Sequence, residues 1–238
     1  MRLLSFDTSS SCLQLCLLED SLVVAEIAID PPGVNRQETA GMLIPAIDQL
    51  LVKQQWGKEE LTAVAVGVGP GSFTGVRTGV VTARTLCCAL GLPLLGVSLF
   101  ECIAYLAERP TGVVLSCGKA FYFAAVYADD TAETPAAEGS RPIFAPAYIS
   151  AAELTGKLAL AKKWLADKQA LQELTAQQAS PHSFLPLPEI SNTAVIQAQI
   201  ACERLACVAN LPSELAAWFH WSKIEPLYLR GPSVTIKR

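Results

Sequence analysis

"GVGPGSFTGVRTG", residues 67–79, sets five glycines in thirteen residues between an apolar run that reads as a strand and an amphipathic run that reads as a helix. "LTAVAVGVG" has the continuous apolar character of a buried strand. Ser72 to Ala89 repeats its apolar residues at helical spacing until Gly91 and Pro93 stop it. A helix opening on such a loop presents unpaired backbone N–H groups and the positive end of its dipole, so Gly69 to Gly75 suits an anion. The spacing nevertheless departs from both standard phosphate loops. Val76-Arg77 follows Gly75 where a Walker loop needs Lys-Ser/Thr, and Thr74 stands where a dinucleotide fingerprint wants its third glycine. On spacing alone the glycines read better as a packing device that permits positive φ and close approach of helix to sheet.

Working outward, "RLLSFDT", "CLQLCLLED" and "LVVAEIAID" are three strands in succession, broken at Thr8 to Ser11 and at Glu19-Asp20-Ser21. After "DPPGVN" the period becomes helical. Ala40, Leu43, Ile47, Leu50 and Leu51 recur at that spacing, Asn35 is an N-cap, Gly57 marks the stop, and Pro45 must kink or restart the helix. Beyond the glycine block come a short strand, "LLGV", and a capping box, Ser98 to Glu101, opening a helix through about Glu108. The order β-β-β-α-β-α-β-α describes a mixed sheet with its parallel part buried, the half-unit of a ribonuclease-H-like or actin-like fold. "TGVVLSCGKAFYFAAVYADD" starts a second half as strand, turn, strand, "PIFAPAYIS" is an edge-like third strand, and Ser150 to Glu153 is another capping box. Residues 156–180 are helical in propensity, "SPHSFLPLPEIS" reads as a loop, and 192–210 as a helix. The halves match in element order, not in detectable sequence repeat.

Composition narrows the function classes. The 238 residues are 51% hydrophobic and 17% charged, which is globular rather than disordered. A net charge of -4 and the lack of any Lys/Arg run argue against a chain that grips nucleic acid alone. Eight cysteines form no C-x-x-C pair and sit in apolar context, so they read as reduced core thiols. His182 and His220 are the only histidines and lie far apart, against an imidazole-based metal centre. Asp7 ends the apolar start before a signal-peptide core forms, and no stretch approaches the roughly 18 apolar residues of a membrane helix. The expectation is a cytoplasmic protein with no membrane contact.

"GPGSFTGVRTG" at 69–79, with "DTS" at 7–9, "RQET…LIP" at 36–45, "GVS" at 96–98 and "EPLYLR" at 225–230, resembles the TsaB (formerly YeaZ) family over nearly the whole chain. The glycine block is the specific part. The resemblance implies an α/β actin-like ATPase (ASKHA, ribonuclease-H-like) fold of two similar lobes, drawn here at 1–109 and 110–238. It also implies a role in N6-threonylcarbamoyladenosine modification of tRNA. TsaB-like proteins are non-catalytic relatives of the transferase TsaD, pair with it through helices of the N-terminal lobe, and are joined by the ATPase TsaE. Transferase-type relatives carry an H-x-x-x-H metal pair on the first helix, whereas this chain has Arg36-Gln37-Glu38-Thr39-Ala40. Family members also usually carry Asp-Ala-Arg early in the second lobe, where this chain reads Ser116-Cys117-Gly118-Lys119. The expectation is therefore no catalytic residue, no bound metal and no required cofactor. Nothing in the sequence supports a peptidase.

Two groups of residues carry the remaining expectations. Asp7, at the end of the first strand, either faces the phosphates of a weak ATP or ADP site with Thr8, Gly69, Gly71, Ser72, Thr74 and Gly75, or is a turn-former whose carboxylate accepts backbone N–H groups. On the first helix Ala40, Leu43, Ile47 and Leu50 form the core stripe, and Thr39, Met42 and Ala46 fall opposite. With Arg36 and Arg77 these form the expected interface with TsaD, and tRNA is reached through the complex. A homodimer of the free chain stays open, as does the alternative of a stand-alone nucleotide-hydrolysing enzyme built on Asp7 and the glycine loop.

Overall fold

The computed structural model describes residues 1–30, 41–118, 120–128, 142–176, 183–208 and 217–230. The first sheet contains β1 (Arg2–Asp7), β2 (Leu13–Glu19), β3 (Leu22–Ile29), β4 (Ala63–Gly67) and β5 (Leu94–Val97), in the order β3-β2-β1-β4-β5. β1 pairs antiparallel with β2 and parallel with β4; β2–β3 is antiparallel and β4–β5 parallel. Its helices are α1 (Leu43–Lys53), α2 (Phe73–Leu90) and α3 (Leu99–Tyr105).

Strand alternation divides the first lobe into two cores. Leu4, Phe6, Leu15, Leu17, Val64 and Val66 point to the face covered by α1 and α2. Leu3, Cys16, Leu18, Ala63, Ala65 and Leu95 point to the other face. That second face is covered by α6 (Thr193–Val208), through Ala194, Ala198, Ala201 and Leu205. Burial on both faces explains why β1 and β4 read as unbroken apolar runs.

The second sheet holds β6 (Thr111–Ser116), β7 (Phe121–Tyr127), β8 (Pro142–Ser150), β9 (Lys163–Ala166) and β10 (Ser183–Pro186), in the order β10-β9-β6-β7-β8. Reversed, this is the order of the first sheet, strand for strand, with the same two antiparallel and two parallel pairings. Two helices accompany it, α4 (Ala151–Thr155) and α5 (Lys168–Ala176). Its core is centred on the fully buried Trp164, whose Nε1–H donates to the carbonyls of Leu158 and Ala161 at 3.1 and 3.2 Å.

Several expectations need correcting. The helix at 193–208 does not belong to the second lobe. The chain forms one compact unit from Met1–Tyr105 with Ile190–Leu227, and another from Leu106–Asp130 with Ser140–Glu189, so the boundary at 109/110 misses the return of the chain. Residues 156–180 are not one helical stretch: a 3-10 turn at Leu158–Leu160 and strand β9 precede α5. The expected loop after residue 180 contains β10. α3 ends at Tyr105, one turn before Glu108. Gly57 does not end α1. Gln54 is its C-cap and Gln55 takes the left-handed conformation, while Gly57 opens a 3-10 turn. Pro45 does restart the helix: Gly41 is still helical, Met42 is a turn, and α1 begins at Leu43 with Pro45 in its first turn. There a missing N–H costs no helical hydrogen bond. Asn35 lies outside the described residues. Among those residues no helix is long and apolar enough to cross a membrane.

Candidate functional site

β1 ends at Asp7, and the turn Asp7-Thr8-Ser9 is buried against the start of α2. Asp7 Oδ1 accepts the Ser9 N–H at 2.6 Å, and Oδ2 accepts Gln197 Nε2–H from α6 at 2.5 Å. Thr8 Oγ1 donates to the Gly75 carbonyl at 2.7 Å, and Ser72 N–H donates to the Ser9 carbonyl at 2.6 Å. Ser72 caps α2, its Oγ accepting the Gly75 N–H at 3.3 Å. A Cβ on Gly71 would run into the Ser9 backbone, one on Gly75 into the Thr8 carbonyl, and one on Gly79 into Thr8 Oγ1. Gly75 and Gly79, spaced four apart, share one face of α2, laid directly on the turn, and Gly71 precedes the N-cap of that helix. Gly69 has φ +94°, which glycine alone adopts without strain.

The structure thus brings Asp7, Thr8, Gly69, Gly71, Ser72 and Gly75 together. Thr74 is exposed, its carbonyl accepting Thr78 Oγ1–H at 2.9 Å. Both carboxylate oxygens of Asp7, the Thr8 hydroxyl, and the N–H groups of Ser72 and Gly75 have partners inside the protein. Gln197 is the residue sequence reasoning missed. It is fully buried in α6, and the alternation of β1 turns Ser5 and Asp7 toward it. Its sequence signal is faint: a polar residue inside the spaced apolar stripe Ala194, Gln197, Ala198, Ala201, Leu205.

On α1 the buried residues are Leu43, Ala46, Ile47, Leu50 and Leu51. Ala46, expected on the partner side, is in the core. The helix takes its phase from the restart at Leu43, which puts position 46 one turn along the inward face. Met42 is exposed at 37%, while Arg36 and Thr39 lie outside the described residues. The outward side of α1 carries Ile44 and Val52, exposed at 61% and 67%, and that of α2 carries Phe73, Arg77 and Val81. Both helices cover the same sheet face, α1 over β2 and β3, α2 over β4, β1 and β5.

Among the described residues no group of three or more His, Cys, Asp or Glu side chains is gathered as a metal ion would need. Burial pushes the Cys16 and Cys87 thiols up to about 12 and that of Cys102 well above its ordinary value. In the second lobe Ser116 N–H donates to Asp167 Oδ2 at 2.8 Å, Gly118 has φ +84°, and Lys119 lies outside the described residues.

Residues 31–230 match the family described as "TsaD: tRNA N6-adenosine threonylcarbamoyltransferase". The chain is 35% identical over 114 residues to the tRNA threonylcarbamoyladenosine biosynthesis protein TsaB of Bacillus subtilis (strain 168), covering 48% of each chain. It is 33% identical over 112 residues to the Escherichia coli (strain K12) protein of the same name, covering 47% of this chain and 46% of that one. The chain spans about half the length of the curated relatives it matches. The solved structure of YeaZ from Pseudomonas aeruginosa superposes with a TM-score of 0.64 at 18% identity, over 96% of this chain and 99% of that one. That likeness, with the repeated sheet order, makes the fold the expected actin-like ATPase (ribonuclease-H-like) type.

Proposed function

The chain belongs to the TsaB (YeaZ) family, within the wider family that includes TsaD, and on that premise we propose that it is a non-catalytic partner subunit in tRNA N6-threonylcarbamoyladenosine biosynthesis. It pairs with the transferase TsaD through the outward side of α1 and α2, the ATPase TsaE joins the pair, and tRNA is met through the assembly in the cytoplasm. The observation that carries this reading is the set Met42, Ile44, Val52, Phe73 and Val81. These are large apolar side chains left exposed on two helices that cover one sheet face. An apolar centre of this kind is what a helix-on-helix interface buries.

The Asp7 turn supports the non-catalytic part. Its carboxylate and the first N–H groups of α2 hold the turn to the helix, so a phosphate entering here would have to displace bonds the fold uses. The chain in this role needs no ATP or ADP. Substituting Val52→Glu with Val81→Glu is the test: co-purification with TsaD is lost while the melting temperature stays that of the parent. In a strain lacking this gene the double variant leaves tRNA without the modified adenosine, read by nucleoside chromatography. Retained pairing, or full modification without the chain, overturns the proposal.

A further inference from the structure

The first lobe carries a second surface, separate from the residues assigned to the protein partner. The segment 217–227 is pinned to the sheet at two points: Leu94 N–H donates to the Phe219 carbonyl at 2.9 Å, and Leu227 N–H donates to the Val68 carbonyl at 2.8 Å. Between these anchors Trp221 and Ile224 pack against the core. The 3-10 turn Trp221–Lys223 is capped by His220, whose Nδ1 accepts the Ser222 N–H at 3.3 Å. The result is a fixed row of rings and cations. The His220 imidazole stacks on the Trp221 indole with centroids 5.1 Å apart, and the Arg84 guanidinium of α2 lies over the same indole at 5.9 Å. Lys223 Nζ donates to the Ala217 carbonyl, and Trp218 is 39% exposed.

The region has an excess of positive charge: Phe73–Leu90 carries Arg77 and Arg84 and no carboxylate, and residues 217–227 carry Lys223 and the exposed Glu225, in a chain whose net charge is -4. The sequence hides this, since Arg84 and Lys223 come from segments far apart. Arg77 lies on the same stripe of α2 as Arg84, seven residues earlier, so the surface adjoins the proposed protein interface.

We propose that this platform binds single-stranded RNA, with bases stacking on Trp218 and on the His220–Trp221 pair and phosphates held by Arg84 and Lys223. Cations alone would suit any polyanion. Their interleaving with indole and imidazole faces selects a ligand with both phosphates and flat bases, the combination by which proteins hold unpaired nucleic acid. The inference rests on the proposed role in tRNA modification, which supplies an RNA, and it gives this chain a direct contact with that RNA.

The test uses fluorescence anisotropy with a labelled oligoribonucleotide of roughly 12 unpaired nucleotides, a length such a platform can span. A tRNA transcript serves as second probe, and each is added to the chain alone and to the chain co-purified with TsaD. Wild type binds, with affinity falling as salt rises. Arg84→Glu with Lys223→Glu weakens binding at least about tenfold at low salt and flattens the log–log salt slope by about 1.4, for two phosphate contacts on a single strand. Trp218→Ala weakens binding about fivefold or more and leaves the slope unchanged, because stacking releases no counterions. Arg84→Lys keeps the slope, and melting curves establish that each variant is folded. The proposal is overturned if wild type binds neither probe, if the charge-reversed variant keeps parental affinity and slope, or if polyglutamate competes as well as RNA does. Co-purification with TsaD is read on the same variants. Lost RNA binding with pairing intact supports the platform, whereas a wild-type failure to bind RNA with pairing intact sinks the platform and leaves the partner role standing.

Discussion

Thr8 and Gly75 approach so closely that one methyl group decides whether the turn and the helix can share their space. Gly75→Ala forces a Cβ onto the Thr8 carbonyl, with buried backbone on both sides and no flexible side chain to give way. Such overpacking costs about 1–3 kcal/mol, seen as a lowered urea midpoint at unchanged slope. Gly91→Ala is the useful contrast: it meets nothing within 4 Å, and its cost is that of φ +67° alone, about 1 kcal/mol. The buried thiols give a pH dependence of definite sign. Cys16 and Cys87 ordinarily ionise near 9.0 and are raised to about 12 by burial. Below about 9 both are neutral whether the chain is folded or unfolded, and stability is unaffected. Between about 9 and 12 only the unfolded chain releases their protons, so stability falls as pH rises. Urea titrations at intervals between those limits check the sign, and iodoacetamide labelling of the native chain should mark the exposed Cys88 and Cys207 before Cys16, Cys87 or Cys102.

Helix α1 shows how far a periodic pattern carries and where it stops. Leu43, Ile47 and Leu50 are legible as core from their spacing, and the restart at Pro45 follows from its missing donor. Ala46 is not legible, because a small residue beside two apolar stripes takes its side from the phase of the helix, and the phase is reset at Leu43. Ala46→Glu therefore buries a carboxylate in the α1–sheet core and abolishes the cooperative melting transition, whereas Val52→Glu leaves it in place; calorimetry separates the two faces. Ser98 and Ser150 are readable as caps because capping is local chemistry, and each accepts the expected backbone N–H. β9 and β10 are obscured because each is only four residues long and flanked by sequence of helical or loop composition. At the Asp7 turn the glycine spacing signals close packing. The partner of the carboxylate is out of reach of any local rule, since Gln197 stands 190 residues away.

Both sheets repeat one order of strands, so the duplication expected from element order is present in the topology, while the boundary between lobes is not where a linear reading puts it. The first sheet needs α6 to cover Leu3, Cys16, Leu18, Ala63 and Ala65, and a fragment of residues 1–109 leaves that face in water. Expressed alone, this fragment is expected to aggregate or bind a hydrophobic dye. Adding residues 190–230 as a separate peptide should restore a cooperative transition, measured by circular dichroism. The return of the chain also sets an order of events during translation. Strands β6 to β10 have all been synthesised by residue 186, before α6, so the sheet begun first is the one covered last. For that interval the nascent polypeptide shows one greasy flank to water, where a ribosome-associated chaperone would find its natural hold.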